Sequence, residues 1–204
     1  MNPPGKIVCV GRNYRDHAKE MGNDVPTEPL IFLKPPSSMI RDGDSVVLPH
    51  QSGQVEFEGE IGVLIGRRLK GVSPEDARSA VDRILAVNDV TARDLQRSDS
   101  QWTRAKGFDT FCPTGEPAST PADLSSLTVV TRVNGVERQR AQASDMVFPI
   151  PDVLAYISHI MTLEPGDLVL TGTPAGVGKL SPGDEVEVEV LGYSRVRNPV
   201  TAEA

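Results

Sequence analysis

No apolar run in this 204-residue chain outlasts a strand, and Pro or Gly stops one run after another. Residues 6–10 end at Gly11, 30–33 at Pro35-Pro36, and 46–48 at Pro49. Such punctuation predicts many short strands and few long helices, a mainly β architecture with peripheral helices of the α+β class. Residues 127–133 and 136–139 flank Asn134-Gly135. That dipeptide tolerates positive φ at both central positions of a type I′ turn, which predicts a hairpin. Two further turns, Glu164-Pro-Gly-Asp167 and Ser181-Pro-Gly-Asp184, each precede a strand-like run, 168–171 and 185–190.

Helical signals are local. Residues 14–21 could make two turns inside the polar, loop-rich stretch 12–28. Ser73 reads as an N-cap with Pro74 at the first helical position and Glu75 and Asp76 in the first turn, which places a helix across Ala77, Ala80 and Val81, while 84–87 suits a strand equally well. Val153, Leu154, Ile157 and Met161 recur at helical spacing after Pro151, and Pro165-Gly166 ends that segment. The coil-rich stretch 113–124 is too short for an interdomain linker, so one domain over residues 1–204 is expected.

Lysine plus arginine number 21 against 28 acidic residues, a formal charge of -7, which argues against a nucleic-acid partner. A small anionic substrate remains compatible, because a bound dication and a few basic groups can invert the local field of a pocket. Cys9 and Cys112 lie far apart, and no signal-peptide pattern opens the chain, so the expected compartment is reducing and cytoplasmic. Membrane spanning is not expected, since a spanning helix needs about 20 apolar residues.

Alternation along Gln54-Val-Glu-Phe-Glu-Gly-Glu60 puts Glu56, Glu58 and Glu60 on one strand face. Either that face is solvated or it surrounds a cation. The same strand runs on into Ile61-Gly-Val-Leu-Ile65, which places its last carboxylates at the edge of a core, where they need a compensating cation. Hard divalent ions prefer oxygen ligands and take few protein carboxylates, leaving room for substrate. Asp89 and Asp94, in Asn88-Asp-Val-Thr-Ala-Arg-Asp94, compete as a further ligand, and each also reads as a cap or turn residue. His17 and Glu20 stand three apart and share a helical face, either as a solvated pair or as a base with its orienting carboxylate. His50 and His159 read as solvated, and Trp102 as a pocket wall or dimer surface. Thr171-Gly-Thr-Pro174 could offer a hydroxyl and backbone N–H groups to a carboxylate, but it lacks the Gly-Lys-Ser/Thr ending of a P-loop, which excludes nucleotide binding.

Six segments together resemble the fumarylacetoacetate hydrolase family, in its single-domain acylpyruvate hydrolase-like branch. They are Val10-Gly-Arg-Asn-Tyr14 with His17 and Glu20, Phe32-Leu-Lys-Pro-Pro36, Phe57-Glu-Gly-Glu-Ile-Gly-Val63, Asn88-Asp-Val-Thr-Ala-Arg-Asp-Leu-Gln96, Ala105-Lys-Gly-Phe-Asp-Thr110 and Leu170-Thr-Gly-Thr-Pro-Ala-Gly-Val-Gly178. The resemblance implies a mixed β-roll of the family's C-terminal domain type, a homodimer, and a mobile lid containing the His17–Glu20 turn. It assigns Mg²⁺ or Mn²⁺ to Glu58, Glu60 and Asp89, leaving Glu56 and Asp94 outside. It further implies His17, Glu20 and Lys106 as catalytic groups, with Arg12, Gln96 and Thr173 as substrate contacts. Gly115-Glu-Pro-Ala118 departs from the bulky apolar residues common in relatives, which leaves pocket specificity open.

The expected activity is metal-dependent hydrolysis of a C–C bond in an acylpyruvate or related 2,4-diketo acid, with pyruvate leaving as its enolate. The same chemistry would serve an oxaloacetate decarboxylase or tautomerase, or a 2-hydroxyhepta-2,4-diene-1,7-dioate-type isomerase. A noncatalytic 2-oxo acid sensor is the reading from a different class, and retention of the His17–Glu20 pair argues against it.

Overall fold

The computed structural model of the protein describes residues 3–22 and 24–204; Met1, Asn2 and Asn23, the last within the expected loop, lie outside these. Among the described residues the strand-sized runs assemble into two larger mixed sheets and two small ones. The six-stranded sheet runs Ala118–Ser119, Val81–Asn88, Gly59–Ile65, Leu168–Leu170, Ile7–Gly11, Leu30–Lys34. Its neighbours are antiparallel except Ile7–Gly11 and Leu168–Leu170, which run parallel. The five-stranded sheet runs Val136–Gln142, Thr128–Val133, Glu185–Val190, Ser194–Ala202, Val46–Leu48, with the last pair parallel. This is the mainly β architecture with peripheral helices that the punctuation predicts, in the mixed β-roll form that the resemblance implies.

The hairpin forms as expected, with Asn134 at φ 53° and Gly135 at φ 76°. Ser73 Oγ accepts the Asp76 N–H at 3.2 Å and starts the helix Pro74–Arg78, after which the chain enters the strand Val81–Asn88. Residues 84–87 are therefore strand, and the helix stops short of Ala80 and Val81, both expected in it, because Val81 already pairs with Ile65 in the six-stranded sheet. The helix Ile150–Ile160 buries Val153, Leu154 and Ile157. Met161, expected on the same stripe, is its extended C-cap and only half-buried. One core joins this helix to both large sheets, through Val8, Ile61, Val63 and Val169 on one side and Val129, Val188 and Val196 on the other. Each such side chain contributes about 1.5–3 kcal/mol of transfer free energy.

Residues 54–65, expected as one strand, form two. Val55–Phe57 sits in a three-stranded sheet with Gly178–Lys179 and Thr91–Ala92, while Gly59–Ile65 is central in the six-stranded one. At Glu58 the backbone leaves one ladder for the other. Its N–H donates to the Asn88 side-chain oxygen at 2.9 Å, and its carbonyl accepts the Asp89 N–H at 2.8 Å. This changeover clasps Asp89 against Glu58.

Cys9 and Cys112 are free and buried, and burial pushes both thiols up, as expected for inert core cysteines. No helix among the described residues is long and apolar enough to cross a membrane.

Candidate metal centre

Glu58 lies at the changeover between two strands, Glu60 is the second residue of the next strand, and Asp89 directly follows the strand Val81–Asn88, so their carboxylates converge. Their oxygens lie within 4.8 Å of one another, the sole such grouping of His, Cys, Asp or Glu side chains among the described residues. Glu58, Glu60 and Asp89 are 4%, 1% and 1% exposed, and Glu56 is 7% exposed, so a solvated acidic face is excluded.

Three cationic side chains meet this charge. Lys34 Nζ donates to Asp89 Oδ1 at 2.7 Å and to the Val90 carbonyl at 3.2 Å. Lys106 Nζ bridges Glu58 Oε2 at 2.8 Å and Asp89 Oδ2 at 2.7 Å. Arg93 spans Glu56, through Nε at 2.8 Å, and Glu58, through Nη2. Burial disfavours ionising Glu58, yet Lys106 and Arg93 hold its carboxyl well below the usual range. Burial likewise opposes the charge on Lys106, but Asp89 and Glu58 raise its ammonium to about 12.

Glu60 is treated differently. Burial and the neighbouring Asp89 and Glu58 carboxylates push its pKa well above the usual range. It accepts the Gly172 N–H at 2.6 Å, and it pairs with no cationic side chain among the described residues. Counted as ionised, Glu56, Glu58, Glu60 and Asp89 outweigh Lys34, Arg93 and Lys106 by one negative charge. A buried, all-oxygen donor set with one carboxylate lacking a cation fits a hard divalent ion. Glu58, Glu60 and Asp89 are the residues that would hold it.

The cleft, about 50 Å³ in all, is lined beside those carboxylates by Arg12, His17, Met21, Phe32, Arg93, Gln96, Trp102, Lys106 and Thr173. Eight of the nine site residues expected from the sequence therefore face one cavity. The ninth, Glu20, stands behind His17, with Oε2 3.3 Å from Nδ1. Arg12 holds a left-handed backbone at φ 59° and pairs with no side chain among the described residues. Thr173 lines the cleft, but its hydroxyl donates to the Gly59 carbonyl at 3.0 Å and accepts from Gln139 at 2.8 Å. The Gly172 N–H serves Glu60, a protein carboxylate, in place of the ligand carboxylate considered from the sequence. Asp94 accepts from Ser52 and Gly53 at 2.6 and 2.8 Å and caps a turn. Trp102 is a pocket wall, edge-on to Phe32, and His50 and His159 are exposed.

Three residues escaped the sequence reading as site components: Lys34, Arg93 and Gln139. Lys34 carries one signal, a lysine closing an otherwise apolar strand. Arg93 and Gln139 carry none, since the Glu56 and Glu58 carboxylates lie 37 and 35 positions from Arg93, and Gly59 and Thr173 lie 80 and 34 from Gln139.

Residues 6–201 match the family model described as fumarylacetoacetate (FAA) hydrolase C-terminal. The chain is 42% identical over 198 residues to the mitochondrial oxaloacetate tautomerase of Arabidopsis thaliana, covering 94% of this chain and 89% of that one. Among solved structures it is similar to 2-hydroxyhepta-2,4-diene-1,7-dioate isomerase from Mycobacterium marinum, at TM-score 0.91 and 42% identity, over 99% of this chain and 76% of that one. It is also similar to 5-carboxymethyl-2-hydroxymuconate delta-isomerase from Mycobacterium smegmatis, at TM-score 0.92 and 42% identity, over 99% and 80% of the two chains.

Proposed function

The chain belongs to the fumarylacetoacetate hydrolase family, and from that premise we propose that it is a divalent-cation-dependent tautomerase or isomerase of 2-oxo dicarboxylates of the oxaloacetate class. The observation that carries this reading is the charge arrangement of the cleft. One negative charge in excess becomes one positive charge with a dication, and the unpaired Arg12 guanidinium makes two. Two positive charges suit a dianionic substrate better than the monoanion of an acylpyruvate. The names of the relatives above point the same way, and they replace the hydrolase branch expected from the sequence as the leading reading.

Mg²⁺ or Mn²⁺ at the three carboxylates would supply Lewis acidity to the 2-oxo oxygen, where negative charge develops as the neighbouring carbon loses its proton. His17 is the base for that proton. With Nδ1 turned to the Glu20 carboxylate, Nε2 is the nitrogen left to accept it and to return it to the other position of the enol. General-base help of this kind is worth about 10² to 10⁴-fold. Lys106, fixed between Glu58 and Asp89, adds a fixed positive charge beside the developing anion. Arg12 takes the distal carboxylate through its planar fork, and Gln96, whose oxygen accepts from Arg93, offers its amide N–H groups. On this reading residues 1–204 act as one catalytic domain and pair as a homodimer, for which the exposed Leu30 and Leu33 of an edge strand are the supporting surface.

Hydrolysis of acylpyruvates is the second reading, because the same His17 Nε2 can deprotonate water for attack on a distal carbonyl, after which the C–C bond breaks and pyruvate enolate leaves. The deciding experiment follows loss of the enol absorbance of oxaloacetate beside pyruvate release from acylpyruvates, each with Mg²⁺ or with chelator. Cation-dependent ketonisation without acylpyruvate cleavage is expected. Arg12→Gln should raise KM for the diacid about 10-fold or more, the worth of one charge-assisted hydrogen bond. Faster cleavage of acylpyruvates than ketonisation would select hydrolysis, and no turnover of either would select the sensor.

A further inference from the structure

The edge strand Val136–Gln142 has one fully buried side chain, and it is polar: Gln139, 1% exposed. Register against Thr128–Val133 shifts between Thr131, opposite Gln139, and Arg132, opposite Glu137, so Arg138 is the extra residue of a β-bulge. Bulges re-aim side chains, and this one accompanies an amide turned into the interior beside the site. Gln139 Oε1 accepts the Gly59 N–H at 3.0 Å, and Nε2 donates to Thr173 Oγ1 and to the Pro174 carbonyl, both at 2.8 Å.

Gly59 lies between the carboxylate residues Glu58 and Glu60. Thr173 and Pro174 belong to a loop that holds two other site residues. Its Gly172 N–H donates to Glu60 at 2.6 Å, and its Gly176 N–H donates to both oxygens of Glu20 at 3.1 and 3.2 Å. Gly176 has φ 101°, and a Cβ there would stand 2.1 Å from the carbonyl oxygen of Arg138, so the bulge backbone presses directly on the loop.

We infer that Gln139 is a positioning residue that sets, from the opposite sheet, the spacing between the Glu58–Glu60 segment and the 172–176 loop. Through that loop it seats Glu60 in the cation site and Glu20 behind His17. The two halves of the cleft thus share one tether, which neither half contains. The inference rests on the cation site proposed above and is independent of which reaction that site runs.

Gln139→Leu removes all three hydrogen bonds at nearly constant volume. In the full-length chain it should weaken Mn²⁺ binding, measured by calorimetry, about 10- to 100-fold, as loss of outer partners of metal ligands does elsewhere. Amide hydrogen exchange across Arg15–Glu20 should quicken, and kcat should fall while KM stays near its original value. Thr131→Val is the control: it deletes a buried hydroxyl without a partner in the same layer and should leave all three readouts unchanged. Unaltered Mn²⁺ affinity and amide exchange in folded Gln139→Leu would overturn the inference, as would equal losses in Thr131→Val. Should Gln139→Leu not fold, Thr173→Val cuts the same tether at its hydroxyl and is judged by the same binding and exchange criteria. Both measurements need no substrate, so failure of the tautomerase proposal leaves them decisive.

Discussion

Glu58 and Asp89, on the floor of the cleft, are nearly fully buried and between them accept four bonds from Lys34, Lys106 and Arg93. His17 and Glu20, by contrast, ride on a six-residue helix that begins without a side-chain cap, and the Glu20 side chain is 34% exposed. The difference lies in what a displacement costs. Moving any member of the floor strands a charge in a low-dielectric interior, a penalty of several kcal/mol, whereas the bonds that hold the His17–Glu20 wall end on a partly exposed carboxylate that water can solvate when they break. The floor is therefore expected to hold its cation whether or not the wall is intact, and the wall to depend on tethers such as the Gly176 N–H.

Glu58→Ala attacks the floor and should have the largest effect. It removes one ligand and leaves Arg93 and Lys106 short of a partner, so about 3–5 kcal/mol of stability should disappear in urea unfolding. Turnover should fall to background, and Mg²⁺ should no longer raise Tm. A surviving Mg²⁺ response would move the cation elsewhere. His17→Ala tests the wall and should lower turnover about 10² to 10⁴-fold while the Mg²⁺-dependent rise in Tm persists. Loss of that rise would show that the two regions are one cooperative unit. Glu56→Gln is the mildest, since the amide can still accept from Arg93. We expect about 1–2 kcal/mol less stability by the same unfolding assay, with the Mg²⁺ response intact. An effect on cation binding equal to that of Glu58→Ala would shift the ligand register by one alternation.

How much of this was legible differs between the two regions. Strand alternation put Glu56, Glu58 and Glu60 on one face but left open whether that face was wet and which acids served a cation. The resemblance chose Glu58, Glu60 and Asp89, and the grouping of their oxygens agrees. Alternation also treated residues 54–65 as one strand, because period-2 patterning continues across Glu58 while the hydrogen-bond partners change. The break came from the Asn88 side chain, which takes the place of a backbone partner. The wall was clearer as a pattern, His17 and Glu20 being three apart on a helix, and less clear as a site, because the group that anchors Glu20 lies 156 positions away.

By itself the sequence determined short strands such as Ile7–Gly11, Leu30–Lys34 and Val46–Leu48, the Asn134-Gly135 hairpin, the Ser73 cap and the buried stripe of Ile150–Ile160, all of which depend on neighbours within a few residues. Only the tertiary structure decided that Lys34, Arg93 and Lys106 would pair with three carboxylates, Glu56, Glu58 and Asp89, and leave Glu60 beside them without a cationic partner. It also decided that one bulge would carry Gln139 into the space between two sheets. The physical reason is that local periodicity states which face a side chain occupies. Which distant group meets it there depends on strand register and sheet packing, and neither leaves a periodic trace in the chain.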